Sequence, residues 1–203
     1  MKRLGFLGGT FNPIHIGHLI LAEQAYSEFD LDKVLIVPSG NPYFKENIKV
    51  LQAEKRLEMC RIAVSDNAHF EVSDIEVRRE GDTYTFETLE ELHKIYPDAE
   101  LYFICGADII KQIKLWKHPE KVFKLSSIIA AVRDDCDILD LTSQIEIYKR
   151  DYDARIEIMH TGRMDISSTD LRLKIRDSKT VRYFIPDNVI EYIRKNKIYM
   201  DEV

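Results

Sequence analysis

The chain has 203 residues, of which 45% are hydrophobic and 32% are charged, a composition typical of a soluble globular protein. A formal net charge of −6 argues against a broad nucleic-acid-binding surface, and no apolar stretch approaches the length of a membrane span. We therefore expect neither a nucleic acid nor a membrane as partner. The cysteines Cys60, Cys105 and Cys136 are odd in number and widely spaced, which favours reduced thiols and a cytoplasmic protein.

Apolar runs rich in β-branched and aromatic residues alternate with longer amphipathic stretches along most of the chain. The predicted strands are Arg3–Leu7, Lys33–Val37, His69–Ser73, Leu101–Cys105, Ser127–Val132 and Arg155–Met159. The predicted helices are Ile16–Glu28, Ala53–Ser65, Phe86–Tyr96, Pro119–Lys124 and Asp140–Tyr148. This alternation predicts an α/β fold with a mostly parallel sheet flanked by helices over residues 1–160. Residues 161–203 indicate helices without intervening strands, and hence a small C-terminal helical subdomain.

The most informative segment joins the first predicted strand to the first predicted helix. It reads Gly8-Gly9-Thr10-Phe11-Asn12-Pro13-Ile14-His15-Ile16-Gly17-His18. A strand, a glycine turn and a helix in this order bring backbone N–H groups and a positive helix end together, which favours phosphate binding. His15 and His18 are three residues apart and share a helix face. The alternatives are half of a metal site, for which nearby sequence supplies no further ligands, and a packed pair without chemistry.

Residues 37–45 follow the second predicted strand, and their two prolines, glycine and asparagine indicate a surface loop. Gly8, Pro38 and Gly106 each lie just past a predicted strand, at the edge where parallel sheets bind ligands. We therefore expect the segments around these residues to converge. Lys45, at the end of the loop, is then a candidate phosphate ligand.

Two segments in the middle of the chain carry further candidate residues. Residues 78–89 contain a turn at Gly81-Asp82, followed by a helix that a threonine could cap. Gly106-Ala107-Asp108 ends a strong predicted strand, and Trp116 follows in a polar neighbourhood. The simple interpretations are a helix cap for Asp108 and a core position for Trp116.

Residues 166–172 read Ile166-Ser167-Ser168-Thr169-Asp170-Leu171-Arg172. Ser167 and Asp170 have the spacing of a capping box, so a well-capped helix is one interpretation. The same hydroxyls, the free N–H groups of a helix start and Arg172 also form a pattern typical of an anion site.

The segments 8–18 and 166–172 resemble the His-x-Gly-His and Ile-Ser-Ser-Thr-x-x-Arg signatures of the HxGH nucleotidylyltransferases. The form is that of the bacterial nicotinate mononucleotide adenylyltransferases, and the resemblance covers essentially the whole chain. It implies a Rossmann-like fold and the transfer of the adenylyl group of ATP to nicotinate mononucleotide, giving nicotinate adenine dinucleotide and pyrophosphate. The family usually carries Pro-Pro-His-Lys where this chain has Pro42-Tyr43-Phe44-Lys45. Phe44 therefore replaces a histidine found in relatives.

The resemblance also implies functional residues. Those expected to bind ATP are Gly8, Gly9, Thr10, Phe11, His15, His18, Gly106, Asp108, Arg133, Ser167, Ser168, Thr169 and Arg172. Those expected to bind nicotinate mononucleotide are Gly9, Thr10, Lys45, Tyr84, Thr85, Asp108 and Trp116. Catalysis is expected from His15, His18, Lys45 and Arg172, with Mg²⁺ carried in by ATP and no metal ligands assigned to the protein.

Three other functions are compatible with parts of this pattern. An adenylyltransferase could act on nicotinamide mononucleotide or on phosphopantetheine, and a non-catalytic module could sense ATP by binding it. A cytidylyltransferase is disfavoured because its C-terminal motif differs. The sequence does not determine the oligomeric state, and a homo-oligomer is compatible with it.

Overall fold

A computed structural model gives the structure of residues 2–42, 50–132, 138–162 and 164–200. The strands are β1 (Lys2–Gly9), β2 (Lys33–Pro38), β3 (Asn41–Pro42), β4 (Phe70–Val72), β5 (Asp82–Thr83), β6 (Ala99–Gly106), β7 (Ser127–Val132) and β8 (Ile156–His160). The helices are α1 (Ile16–Glu28), α2 (Ala53–Ala63), α3 (Thr85–Ile95), α4 (Ala107–Gln112), α5 (Pro119–Leu125), α6 (Ile138–Tyr152), α7 (Ser168–Arg176) and α8 (Asp187–Lys195). A short 3-10 helix, Ile113–Leu115, follows α4.

The main sheet has the strand order β4-β2-β1-β6-β7-β8, and its neighbouring strands are all parallel. From β1 the chain moves outward through β2 to β4, and it then returns to the other side of β1 at β6. The topology therefore reverses between β1 and β6, which is where open α/β sheets bind ligands. This architecture confirms the predicted Rossmann-like α/β fold.

The strand register opens a crevice at this reversal. The β1–β6 ladder ends at the pair Phe6–Phe103. Beyond it, β1 stays paired with β2 as far as Gly9–Pro38, and β6 stays paired with β7 as far as Gly106–Ala131. The carboxyl ends of the two central strands thus separate, each held by its outer neighbour.

Hydrophobic residues bury both faces of the sheet, as expected for parallel strands covered by helices on each side. Along β2, Val34 and Ile36 belong to one core cluster, whereas Leu35 and Val37 belong to the other. The first cluster includes residues of α1, α2 and the C-terminal tail, and the second includes residues of α3, α5 and α6.

The tail after residue 161 packs against the first face instead of standing apart. Val189 and Ile193 of α8 are buried in the same cluster as Met59 of α2. The Asn188 side chain donates a hydrogen bond of 2.7 Å to the Ile62 carbonyl at the end of α2. Folding of the tail therefore depends on the same apolar core as the sheet.

The predicted elements match the observed ones closely, with end shifts of a few residues. Strands β3 and β5 have two residues each and form a separate small parallel sheet that the pattern did not predict. The prediction also missed α4 and the 3-10 helix after it, because such short segments show little apolar periodicity. Within the described residues, no helix has both the length and the apolar character needed to cross a membrane.

Candidate active site

A cavity of about 780 Å³ opens at the carboxyl ends of β1 and β6, where the ladder between them ends. Gly8 and Gly9 of β1 and Gly106 of β6 line it, together with Ser39, which follows β2 directly. The predicted convergence of these strand ends is thus observed. The volume of the cavity lies within the range of ordinary small-molecule sites.

The two histidines lie at one end of this cavity, at the start of α1. Their imidazole rings stack with centroids 3.7 Å apart, and the Phe11 ring packs edge-on against His18 at 4.9 Å. The backbone N–H of His15 donates to Nδ1 of His18 at 3.2 Å. This bond helps to hold the His18 ring at the helix start.

Gly17 makes this stacked arrangement possible. A Cβ atom at this position would lie 3.2 Å from the His15 ring, closer than ordinary van der Waals contact. His15 is 6% exposed and lines the cavity together with His18 and Thr10. The glycine between the histidines therefore allows both rings to occupy the helix start beside the glycine turn.

The second motif is hydrogen-bonded to the segment that precedes the histidines. The Ser168 hydroxyl donates to the Pro13 carbonyl at 3.0 Å, and Arg172 donates to the Asn12 carbonyl at 2.8 Å and to the Thr169 hydroxyl at 3.3 Å. Two sites some 150 residues apart in the sequence therefore form one structural unit.

The capping-box interpretation of the second motif is wrong in its details. Ser167 occupies the N-cap position of α7, but its side chain makes no capping hydrogen bond. Ser167, Ser168, Thr169 and Arg172 lie outside the described cavity lining, which their neighbour Ile166 joins. Their assignment to ATP remains a prediction.

Aromatic residues form the opposite end of the cavity. Trp116 is half-buried, with its ring centroid 6.1 Å from that of Phe103. The Lys117 ammonium lies 4.3 Å from the centroid of the Tyr84 ring, a cation–π contact. These four residues and Thr85 line the cavity.

Helix α3 begins at this end of the cavity. Its N-cap is Tyr84, so the threonine cap expected from the sequence is wrong and the helix starts one residue earlier than predicted. Gly81 has a φ of +81°, as the predicted turn requires. The first N–H groups of a helix need partners outside the helix, and here Thr85 presents them beside Trp116 and Lys117.

Asp108 lies in the first turn of α4, directly after β6, and lines the cavity between the two ends. It is exposed, as a residue that contacts a polar ligand group would be before binding. Its assignment to a ribose hydroxyl remains a prediction.

Sequence reasoning missed a buried acidic residue in the cavity wall. Glu76 is 7% exposed, and its carboxylate accepts a hydrogen bond of 2.8 Å from the Thr88 hydroxyl of α3. Thr88 in turn accepts one of 3.1 Å from Arg79. Burial raises the pKa of Glu76 above its usual range, although the bond from Thr88 and the charge of Arg79 oppose this. The network ties the start of α3 to the cavity wall.

The cavity also includes residues for which the sequence offered only a positional signal. Ile20, Leu21 and Gln24 extend along α1 from the histidines. Thr161 and Gly162 follow β8 directly. The rule that ligands bind beyond the carboxyl ends of parallel strands could have identified the latter pair.

Three further predicted site residues are not found in the cavity lining of the described structure. Lys45 and Arg133 lie outside the described residues, as do the neighbours Tyr43 and Phe44 of Lys45. Phe11 is 2% exposed and supports the His18 ring from beneath rather than joining the described cavity lining. Within the ranges described, no group of three or more His, Cys, Asp or Glu side chains is placed to hold a metal ion.

Comparison with known proteins identifies the family. The cytidylyltransferase-like family model matches residues 6–174. A protein of Desulfitobacterium hafniense (strain Y51) is 44% identical over 201 residues, covering 98% of this chain and 96% of the relative. One from Lachnoclostridium phytofermentans is 42% identical over 200 residues, covering 98% and 100%. Both are named "Probable nicotinate-nucleotide adenylyltransferase".

Solved structures show the same fold at lower sequence identity. The Plasmodium falciparum nicotinic acid mononucleotide adenylyltransferase complexed with NaAD has a TM-score of 0.80 and 18% identity, with 98% of each chain covered. The same enzyme complexed with APC has a TM-score of 0.78. With the fold, the histidine pair and full-length relatives in agreement, this chain belongs to the nicotinate-nucleotide adenylyltransferases of the cytidylyltransferase-like family.

Proposed function

We propose that this chain transfers the adenylyl group of ATP to nicotinate mononucleotide, releasing pyrophosphate and forming nicotinate adenine dinucleotide. One observation carries the proposal: a single cavity extends from a glycine turn with paired imidazoles to an aromatic end at a helix start. The first end suits phosphates, and the second suits a flat, negatively charged ring. The two relatives cited above are named as enzymes of this type of reaction.

The reaction needs neither a general base nor a covalent enzyme intermediate. The 5′-phosphate of nicotinate mononucleotide is ionised at neutral pH, so its oxygen can attack the α-phosphorus of ATP directly. The new P–O bond forms as the bond from the α-phosphorus to the bridging oxygen of the β-phosphate breaks, and that oxygen leaves with pyrophosphate. Catalysis then consists of aligning the two substrates and stabilising the charge on the transferring phosphoryl group.

The residues at the glycine turn supply that stabilisation. Nε2 of His18 and the ring of His15 hold oxygens of the α- and β-phosphates, and the backbone N–H of Thr10 adds a neutral donor. Arg172 and Lys45 neutralise the departing pyrophosphate. The hydrogen bonds of Ser168 and Arg172 to Pro13 and Asn12 support this role, because they keep the tail motif beside the glycine turn.

The aromatic end selects the acceptor. Trp116 stacks on the pyridine ring, while Asp108 accepts hydrogen bonds from ribose hydroxyls. The carboxylate of nicotinate accepts from the first N–H groups of α3 near Thr85, within the field of the Lys117 ammonium. A neutral carboxamide would gain less from both and would face N–H donors with its own NH₂ group.

Mg²⁺ enters with ATP, as part of the substrate. In such a complex it usually keeps several waters and is held largely by the substrate phosphates. When bound, Mg²⁺ adds positive charge to the pyrophosphate leaving group. The protein groups named above perform the positioning.

The core and tail form one functional unit in this proposal, because Ser168 and Arg172 of the tail donate hydrogen bonds to the segment that carries the histidines. The location proposed for the protein is the cytoplasm. Cys60 and Cys105 are buried free thiols, and burial raises the pKa of each, which keeps them protonated and inert.

A discontinuous assay tests the proposal directly. Purified protein is incubated with Mg²⁺-ATP and one acceptor: nicotinate mononucleotide, nicotinamide mononucleotide or phosphopantetheine. We expect pyrophosphate and nicotinate adenine dinucleotide in equal amounts with the first acceptor. Binding of ATP without pyrophosphate release, with every acceptor, would instead indicate a non-catalytic ATP-sensing module.

A further inference from the structure

Among the described residues, Arg56 is the most deeply buried charged residue that the mechanism does not use. It lies in α2, and only 1% of it is exposed. Its guanidinium lies behind the cavity wall, outside the described cavity lining. Among the residues that the structure describes, no carboxylate forms an ion pair with it. A buried charge of this kind is costly and needs a compensating set of hydrogen bonds.

Backbone carbonyl groups provide those bonds, each through a different nitrogen. Nη1 donates to the carbonyl of Thr10, Nη2 to that of Gly40 and Nε to that of Leu51, each at 2.8 Å. The planar guanidinium holds its donors in a fixed fork, so it fixes the relative positions of the three acceptors. Burial lowers the pKa of Arg56, but an arginine stays protonated in a protein at neutral pH.

The three carbonyls belong to loops around the phosphate end of the cavity. Thr10 follows the glycine turn and lines the cavity, and Gly40 comes directly after Ser39, which also lines it. Leu51 precedes α2. One side chain thus joins the loop after β1 to the loop after β2 and to the start of α2.

The loop at Gly40 has little freedom on its other side. A Cβ at this position would collide with the backbone carbonyl oxygen of Glu76. Only glycine therefore fits between Glu76 and the Arg56 guanidinium. Moving this loop would therefore displace either the carbonyl that Arg56 binds or the cavity wall at Glu76.

We propose that Arg56 is a positioning residue for adenylyl transfer: its guanidinium holds the Thr10 and Gly40 loops in the separation that aligns the phosphates for in-line attack. This inference rests on the proposed function, because the quantity it controls is the rate of that reaction. Misplacement of reacting groups by about 1 Å costs on the order of 10²-fold in rate. The effect should fall mainly on kcat, because Arg56 binds the loops of the phosphate end directly and reaches the start of α3 only through the β3–β5 pair that follows Gly40.

The test compares Arg56→Lys and Arg56→Gln. Lysine keeps the charge but carries its donors on one nitrogen, so it cannot reach three separated carbonyls as the fork does. Glutamine removes the charge and offers two donors. We expect both variants to lose at least ~10-fold in kcat when assayed well below their unfolding temperatures, as checked by circular dichroism. The Kd for nicotinate mononucleotide, measured by titration calorimetry, should change less than about threefold.

Two controls separate positioning from stability. Arg3→Lys makes the same exchange at the opposite edge of the sheet, where Arg3 donates to the Tyr102 hydroxyl at 2.8 Å. Ile156→Ala opens a cavity in the second core cluster at the start of β8, so it destabilises the fold away from the site. Both controls should keep kcat within about threefold of the parent protein.

A kcat within about threefold of the parent in both Arg56 variants, as expected for the control Ile156→Ala, would overturn the proposal. So would a lysine variant with near-parental kcat, because charge alone would then suffice. If neither Arg56 variant folds, Gly40→Ala decides: the proposal expects at least a ~10-fold loss of kcat, and parental kcat refutes it. A parent protein without turnover would be seen before any variant is measured and would refute the proposed function itself.

Discussion

In the proposed mechanism, one ring nitrogen of His18 supports the fold and the other binds phosphate, and two substitutions can separate these roles. Its Nδ1 accepts the backbone N–H of His15 at 3.2 Å, and the proposed mechanism assigns a phosphate oxygen to Nε2. An asparagine at this position places an acceptor near the site of Nδ1, whereas a glutamine reaches toward the site of Nε2. His18→Asn should therefore keep the fold and lose activity, and His18→Gln should do the reverse in part.

The expected magnitudes follow from the two bonds. Losing the acceptor at a helix start costs about 1 kcal/mol, which lowers the unfolding temperature by roughly 2–4 °C in a chain of this size. Losing one donor that stabilises transition-state charge costs about 10²–10³ in rate. We expect His18→Asn within about 1 °C of the parent but ~10²-fold lower in kcat/KM, and His18→Gln destabilised but more active than His18→Asn.

Thermal unfolding followed by circular dichroism measures the first quantity, and pyrophosphate release under Mg²⁺-ATP saturation measures the second. His18→Ala, which lacks both nitrogens, should combine the two losses. Near-parental turnover in His18→Asn would exclude Nε2 from phosphate binding. The stacked imidazole rings would then have only a packing role.

Three further predictions concern the aromatic end and the cavity wall. Trp116→Ala should raise KM for nicotinate mononucleotide at least ~10-fold more than KM for ATP. The fluorescence of Trp116, the single tryptophan of the chain, should also change when the mononucleotide binds. An unchanged fluorescence together with an unchanged KM would show that Trp116 has only a packing role. The parent enzyme should prefer nicotinate over nicotinamide mononucleotide by at least ~10-fold in kcat/KM, because an unpaired buried polar group costs about 1–3 kcal/mol; equal rates would refute the role given to Thr85. Glu76→Gln should be more stable than the parent near pH 7, because burial raises the pKa of Glu76 and the folded state therefore disfavours its ionised form. The difference should shrink as the pH falls below 4.5, the ordinary pKa of a glutamate, because the parent carboxyl is then protonated in both states; urea unfolding at several pH values would measure it.

The sequence predicted the fold and the location of the site well, because both depend on local patterns. Alternating apolar runs specify parallel strands, and the carboxyl ends of such strands meet at one edge of the sheet. Gly8, Gly106 and the histidines could be placed at that edge without knowing any distance.

Contacts between distant segments could not be predicted in this way. Nothing near Arg56 in the sequence indicates that its guanidinium binds carbonyls on two other loops. Glu76 belongs to a charged stretch whose pattern favours a solvated surface, yet it is buried in the cavity wall. In both cases the deciding factor is burial, which depends on how several loops pack at one edge of the sheet.

The tail motif shows how local and distant information combine. Its residue types indicate an anion site, but in the structure its side chains bind the backbone of the glycine segment: Ser168 at Pro13 and Arg172 at Asn12. The Tyr199 hydroxyl adds a bond of 2.6 Å to the Asn12 side chain. The turn that carries the histidines is thus held from α2 by one arginine and from the tail by three side chains. A phosphate site built mainly from backbone groups needs this support, because a glycine-rich turn cannot fix its own conformation.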